Sequence, residues 1–196
     1  MELYHETQCM QQCLLHTLNN LLQETAFTSS DLDKLADALA PGNLPLPLLH
    51  PHRTLFVGNW DVSVLEVAIG SVGKSLKWHD QRDSEFKKSP GLTSCNGVVV
   101  NIKPPGRFAA LLGSRHWFAI KKLEGVWYNL DSKLPAPKRI SEFVPPKVGS
   151  SCHGGGAGGV SNKGADGSAL GDEDTALRIF LTSLQKDSDA KVFLIF

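Results

Sequence analysis

A hairpin constrains this chain more than any other feature. His116-Trp-Phe-Ala-Ile-Lys-Lys-Leu123 and Val126-Trp-Tyr-Asn-Leu-Asp131 are two β-rich runs separated only by Glu124-Gly125. A two-residue connection with glycine second suits a tight hairpin turn, so the register follows from the loop length. Leu123 faces Val126, Ile120 faces Asn129 and Phe118 faces Asp131. Side chains alternate with period two, which puts His116 and Phe118 on one face, opposite Trp117 and Tyr128. His116 and Asp131 become diagonal neighbours on that face, close enough for their side chains to meet. A slip of one residue would separate them.

The remaining periodicities dress this hairpin. Leu14, Leu18, Leu21 and Leu22, widened by Leu15, predict a helix from about Gln11 to Gln23, with Cys13 in its first turn just off the apolar stripe. A second helix is expected over Asp31 to Ala40, capped by Ser30 with Asp33 three residues on. A third follows Asp61, with Val64, Leu65, Ala68, Ile69 and Val72 inward. Leu76 and Trp78 alternate as in a short strand, and Val98 to Ile102 is a β-rich run. Leu177, Phe180, Leu181 and Leu184 mark a last helix, and Val192 to Phe196 a final buried strand. The run Pro41 to Pro51 holds four prolines and reads as a connection without regular structure. Nine of the eighteen glycines fall in Gly149 to Gly171, which therefore reads as a flexible insertion. The expectation is one domain over 1–196 with that insertion inside it.

Twenty basic residues balance twenty acidic ones, so nothing supports a nucleic-acid binder or a membrane anchor working through charge. No apolar run reaches the ~18–20 residues of a membrane-spanning helix. The start, MELYHETQ, lacks the apolar stretch of a signal peptide. These points lead to an intracellular, cytoplasmic protein that could also enter the nucleus, expected as a monomer. Thiols stay reduced there, so Cys9, Cys13, Cys95 and Cys152 are read as free. Cys95, before a buried strand, reads as a small hydrophobe.

The chemistry gathers in Gln8, Cys13, His116 and Asp131. A thiol is a strong nucleophile as thiolate, and the first turn of a helix favours negative charge. A histidine beside it takes the proton and returns it to the leaving amine. A carboxylate beyond the histidine fixes its tautomer. A Gln just before the helix, with the Cys backbone N–H, can hold a developing oxyanion. Each residue also has a plain reading: a core cysteine, an ordinary strand histidine, a turn aspartate. Register alone does not bring the helix start to the hairpin. A zinc site of His5, Cys9, Cys13 and His16 has four ligands of the right types but no second knuckle. His16, one turn after Cys13, is read as structural, and Cys9 as incidental.

His5-Glu6-x-Gln8-x4-Cys13-x2-His16-x-Leu18-Asn19-Asn20-Leu21-Leu22-Gln23 resembles the opening of the Josephin domain, a family of deubiquitinating cysteine proteases. Gly58-Asn59-Trp60-Asp61-Val62 resembles that family's next block. His116-Trp117 followed by Trp127-Tyr128-Asn129-Leu130-Asp131-Ser132 resembles its His and Asp/Asn blocks, in the same order. The resemblance implies an α+β, papain-like fold in which a helix carrying Cys packs on an antiparallel sheet carrying His and Asp. It implies Cys13 as nucleophile, His116 as general base, Asp131 as orienter and Gln8 as oxyanion donor, with no cofactor and no metal. Ubiquitin or ubiquitinated proteins would be the partners, and the bond cleaved the (iso)peptide at the C-terminal glycine of ubiquitin. A catalytically weak ubiquitin-binding module with the same fold is the alternative. The family's helical arm is replaced here by the short Pro-rich stretch Pro41 to Val57.

Overall fold

In order along the chain the elements are α1 (Cys13–Leu22), α2 (Ser29–Leu39), β1 (Arg53–Thr54), β2 (Asn59–Trp60), α3 (Val62–Ser71), β3 (Leu76–Trp78), β4 (Gly97–Ile102), β5 (His116–Leu123), β6 (Val126–Asn129), β7 (Lys138–Arg139), α4 (Glu173–Ser188) and β8 (Lys191–Ile195). They are those of a computed structural model that describes residues 3–42, 50–54, 59–80, 82–83, 86, 90–92, 94–103, 115–143 and 173–196. The glycine-rich insertion, residues 43–49 and 55–57 of the Pro-rich stretch and Gly58 lie outside the described residues.

The hairpin forms as its loop demands. Glu124 and Gly125 both adopt positive φ, 50° and 85°, the pair of conformations a type I′ turn needs. Leu123 pairs with Val126 and Ile120 with Asn129, and Leu130 N–H continues the ladder to Ala119 O at 2.8 Å. The hairpin is part of a six-stranded sheet in the order β3-β8-β4-β5-β6-β7, antiparallel at every pairing.

Alternation sorts the sheet's side chains into two cores. Val99, Trp117, Ala119, Phe193 and Ile195 pack with the helical part of the chain, including Leu14, Leu15, Leu18 and Leu21 of α1. Val98, Val100, Phe118, Ile120, Trp127, Val192 and Leu194 pack with Leu177, Phe180 and Leu181 of α4. Both faces are covered, so β4 reads as a continuous apolar run, not an alternating one.

Leu21 of α1 packs directly over Gly97 of β4, where a side chain would not fit. A Cβ added to Gly97 would lie 2.5 Å from Leu21 Cδ1 and 3.2 Å from Ile120 O. Lys121 of β5 donates from Nζ to Leu21 O at 2.6 Å, placing a cation on the carbonyl end of α1.

Three boundaries differ from the sequence expectation. Helix α1 begins at Cys13, after Gln12, which makes no side-chain cap. Helix α2 begins at Ser29, not Asp31, and its cap is Thr28 with Asp31 in a reciprocal capping box, not Ser30 with Asp33. Asp33 instead accepts from Trp60 Nε1 at 3.1 Å and pairs with Arg53 at 2.9 Å. Val72 follows the end of α3 and is exposed, while Val64, Leu65, Ala68 and Ile69 are buried as expected.

Candidate active site

The N-terminal end of α1 and the first residue of β5 meet at one rim of the helix–sheet sandwich. Cys13 is 4% and His116 3% exposed, and the thiol is near enough to the imidazole to help raise its pKa. Across the hairpin, His116 Nε2 is 2.7 Å from Asp131 Oδ1. A carboxylate can only accept, so Nε2 carries a proton and Nδ1 is the nitrogen left for the thiol. The Asp131 carboxylate is itself held, because Oδ1 also accepts from Lys133 N–H at 2.9 Å. Asp131 N–H in turn donates to Asn129 Oδ1 at 3.0 Å. This local turn aims the carboxylate at the ring.

Two opposing forces act on the imidazole. Burial pulls its pKa down, since an imidazolium is costly away from water. The hydrogen bonds to Asp131 and Cys13 and the Asp131 charge outweigh burial and hold His116 above the ordinary histidine value, against a small push from Lys133.

Gln8 reaches the same rim by another route. Its backbone N–H donates to Ser132 O at 2.7 Å, which fastens the segment before α1 to the turn after β6. Its side chain does not project freely. Nε2 donates to Met10 O at 2.7 Å, and Oε1 is buried without a partner. An amide nitrogen carries two hydrogens, so the contact to Met10 O uses one and leaves one to offer.

The other candidates separate from this group. His16 Nδ1 is 2.6 Å from Glu6 Oε2, and its Nε2 accepts from Cys9 N–H at 3.3 Å. His5 Nε2 meets Leu134 O at 3.0 Å. With these partners the four zinc-type residues do not converge, and no group of His, Cys, Asp or Glu among the described residues could hold a metal ion. Cys9 is exposed. Cys95 is buried, and burial pushes its thiol up to about 11, which makes it inert at neutral pH.

The sequence reading placed Asn19 and Asn20 of α1 in a motif but gave them no part in the site. Asn19 and Asn20 are fully or almost fully buried and bind Glu6 of the segment before α1, and Asn19 also donates to Phe27 O beyond its end. Two amides set between Leu18 and Leu21 on the apolar side of α1 could have flagged them, because buried amides must be hydrogen-bonded. A pocket of about 360 Å³ has walls that include Trp60, Asp61, Arg115, Trp117, Lys191 and Phe193, but none of Gln8, Cys13, His116 and Asp131.

A cysteine-bearing helix seated on an antiparallel sheet that carries His and Asp is the papain-like α+β arrangement. The Josephin family profile matches residues 8–145. A Josephin-like protein of Arabidopsis thaliana is 40% identical over 146 residues, covering 70% of this chain and 40% of that protein. Mouse Josephin-2 is 36% identical over 143 residues, covering 71% of this chain and 73% of its own length. Rat ataxin-3 is 26% identical over 157 residues, covering 71% of this chain and 40% of that protein. The chain thus spans about two-fifths of the length of the Arabidopsis relative. It belongs to the Josephin family, the deubiquitinase-type cysteine proteases. Among the described residues no helix is long and apolar enough to cross a membrane.

Proposed function

We propose that this chain is a thiol hydrolase that cleaves the (iso)peptide bond at the C-terminal glycine of ubiquitin. The observation that carries this reading is the His116–Asp131 pair, 2.7 Å apart, at the rim where α1 presents Cys13. The thiol gives its proton to His116 Nδ1, and sulfur attacks the glycine carbonyl. Asp131 keeps Nε2–H engaged, so the ring stays aimed and the imidazolium is stabilised. The oxyanion draws on the Cys13 backbone N–H and the remaining Gln8 amide hydrogen. His116 then delivers its proton to the leaving amine, and a water activated by the neutral ring releases ubiquitin from sulfur. The pocket walled by Trp60 and Trp117 is the route for the extended tail of ubiquitin. Residues 1–196 act as one unit in this proposal.

One observation favours a second reading. Gln8 Nε2 is engaged with Met10 O, which would weaken the oxyanion site in a ubiquitin-binding module of low activity. Hydrolysis of a ubiquitin bearing a fluorogenic C-terminal amide separates the two. The hydrolase reading expects turnover that Cys13→Ala abolishes while ubiquitin binding persists. Binding without turnover by the unaltered chain would install the second reading.

A further inference from the structure

We propose that Asn20 is a positioning residue, whose carboxamide sets the Gln8 segment and the Asp131 turn against the helix that carries Cys13. The inference rests on the active-site reading above but turns on a separate set of contacts. Asn20 is fully buried on α1. Its Oδ1 accepts from Glu6 N–H at 2.6 Å. Its Nδ2 donates to Glu6 O at 3.2 Å and to Leu130 O at 3.0 Å.

The location of these partners matters more than their number. Glu6 is two residues before Gln8, and Leu130 directly precedes Asp131. The Gln8 N–H to Ser132 O bond then closes a ring of hydrogen bonds. It runs from α1 through Asn20 to Glu6, along the chain to Gln8, across to Ser132, and back through Asp131 and Leu130 to Asn20. The three segments bearing Cys13, Gln8 and Asp131 are joined through one side chain. Only a planar group that both donates and accepts can serve Glu6 N–H and two carbonyls at once. Removing it leaves Glu6 N–H and the Leu130 carbonyl without this partner; His16 and Asn19 still hold Glu6 to α1, so the Asp131 turn is the segment freed to drift. Drift of about 1 Å at a reacting group costs on the order of 10²-fold in rate.

A residue that merely stabilises the fold would produce some of the same loss, so the test reads the site directly. In the full chain, the titration of His116 is followed by NMR in wild type, Asn20→Ala and Asn20→Ser. With Asp131 held less firmly and burial unopposed, Asn20→Ala should lower the His116 midpoint. Asn20→Ser, which can keep one hydrogen bond and is the gentler change should Ala unfold the chain, should lower it less. This readout needs no turnover, so it stands or falls apart from the hydrolase proposal. Where turnover is measured, Asn20→Ala should lower kcat with KM near wild type, and its loss should shrink in an Asp131→Ala background. A folded Asn20 variant with an unmoved His116 midpoint, or with losses that simply add to those of Asp131→Ala, would overturn the proposal.

Discussion

His116 Nε2 and Asp131 Oδ1 lie 2.7 Å apart, although fourteen residues separate them in the chain and only the two-residue turn at Glu124-Gly125 connects their strands. The contact follows from turn chemistry and side-chain alternation, before any helix packs. What it needs from the rest of the fold is a thiol, which α1 brings to the rim.

If Asp131 acts by orienting the ring, an amide oxygen should do much of its work. Asp131→Asn should keep more activity than Asp131→Ala. The latter should lose a large part of the roughly 10²–10⁴-fold that positioned acid–base catalysis supplies. Steady-state kinetics on a ubiquitin C-terminal amide would check this. Equal losses in the two variants would mean that the negative charge, not orientation, is what the ring requires.

The pH dependence follows from the raised pKa of His116. Burial pulls it down, and Asp131 and Cys13 overcome that pull. The leaving amine needs the protonated ring, so activity should fall on the alkaline side as His116 loses its proton, above the ordinary value of about 6.5. Asp131→Ala should move that limb to lower pH. The shift also bears on stability. A pKa raised by folding contributes stability below the unfolded value, and the contribution fades as pH rises through the folded value. Thermal melts of wild type and Asp131→Ala should therefore differ more at mildly acidic than at alkaline pH.

Gln8→Ala should lower kcat by roughly 10²–10³-fold if the amide meets the oxyanion, with ubiquitin affinity largely unchanged. The contact of Nε2 with Met10 O sharpens this test. A loss below tenfold would assign the oxyanion to the Cys13 backbone N–H without the Gln8 amide.

The hairpin was legible because its turn has two residues and its register leaves no freedom. The same was true of α3, where Asp61 caps Ser63 N–H and Val64 N–H. The start of α2 was misread because Thr28, Ser29 and Ser30 all cap well, and it is Thr28 that completes the reciprocal capping box with Asp31. Asp33, the expected capping partner, is drawn off by Trp60 and Arg53 from other elements. The approach of α1 to the sheet was not legible from local pattern. It depends on Gly97, Lys121 and Asn20, whose roles are set by residues up to 110 positions away. The resemblance to Josephin sequences supplied that packing in advance.

Gly97→Ala should destabilise the chain. The new methyl would press on Leu21 Cδ1 and the Ile120 carbonyl. Overpacking of this kind costs typically about 1–3 kcal/mol. Denaturant unfolding would read the loss. Unchanged stability would mean that Leu21 swings aside freely and that α1 is not seated by this contact.

The most direct measurement is the reaction of the full chain with a ubiquitin carrying a C-terminal electrophile, followed by mapping of the modified residue. Cys9 is exposed but has no catalytic base assigned, and Cys95 is buried with its thiol pushed up to about 11. Among the described cysteines, Cys13 alone is coupled to the His116–Asp131 pair. The account predicts a single adduct on Cys13, lost in Cys13→Ala and suppressed in His116→Ala. Labelling of Cys9 or Cys152 to the same extent, or tight ubiquitin binding without any adduct, would contradict it.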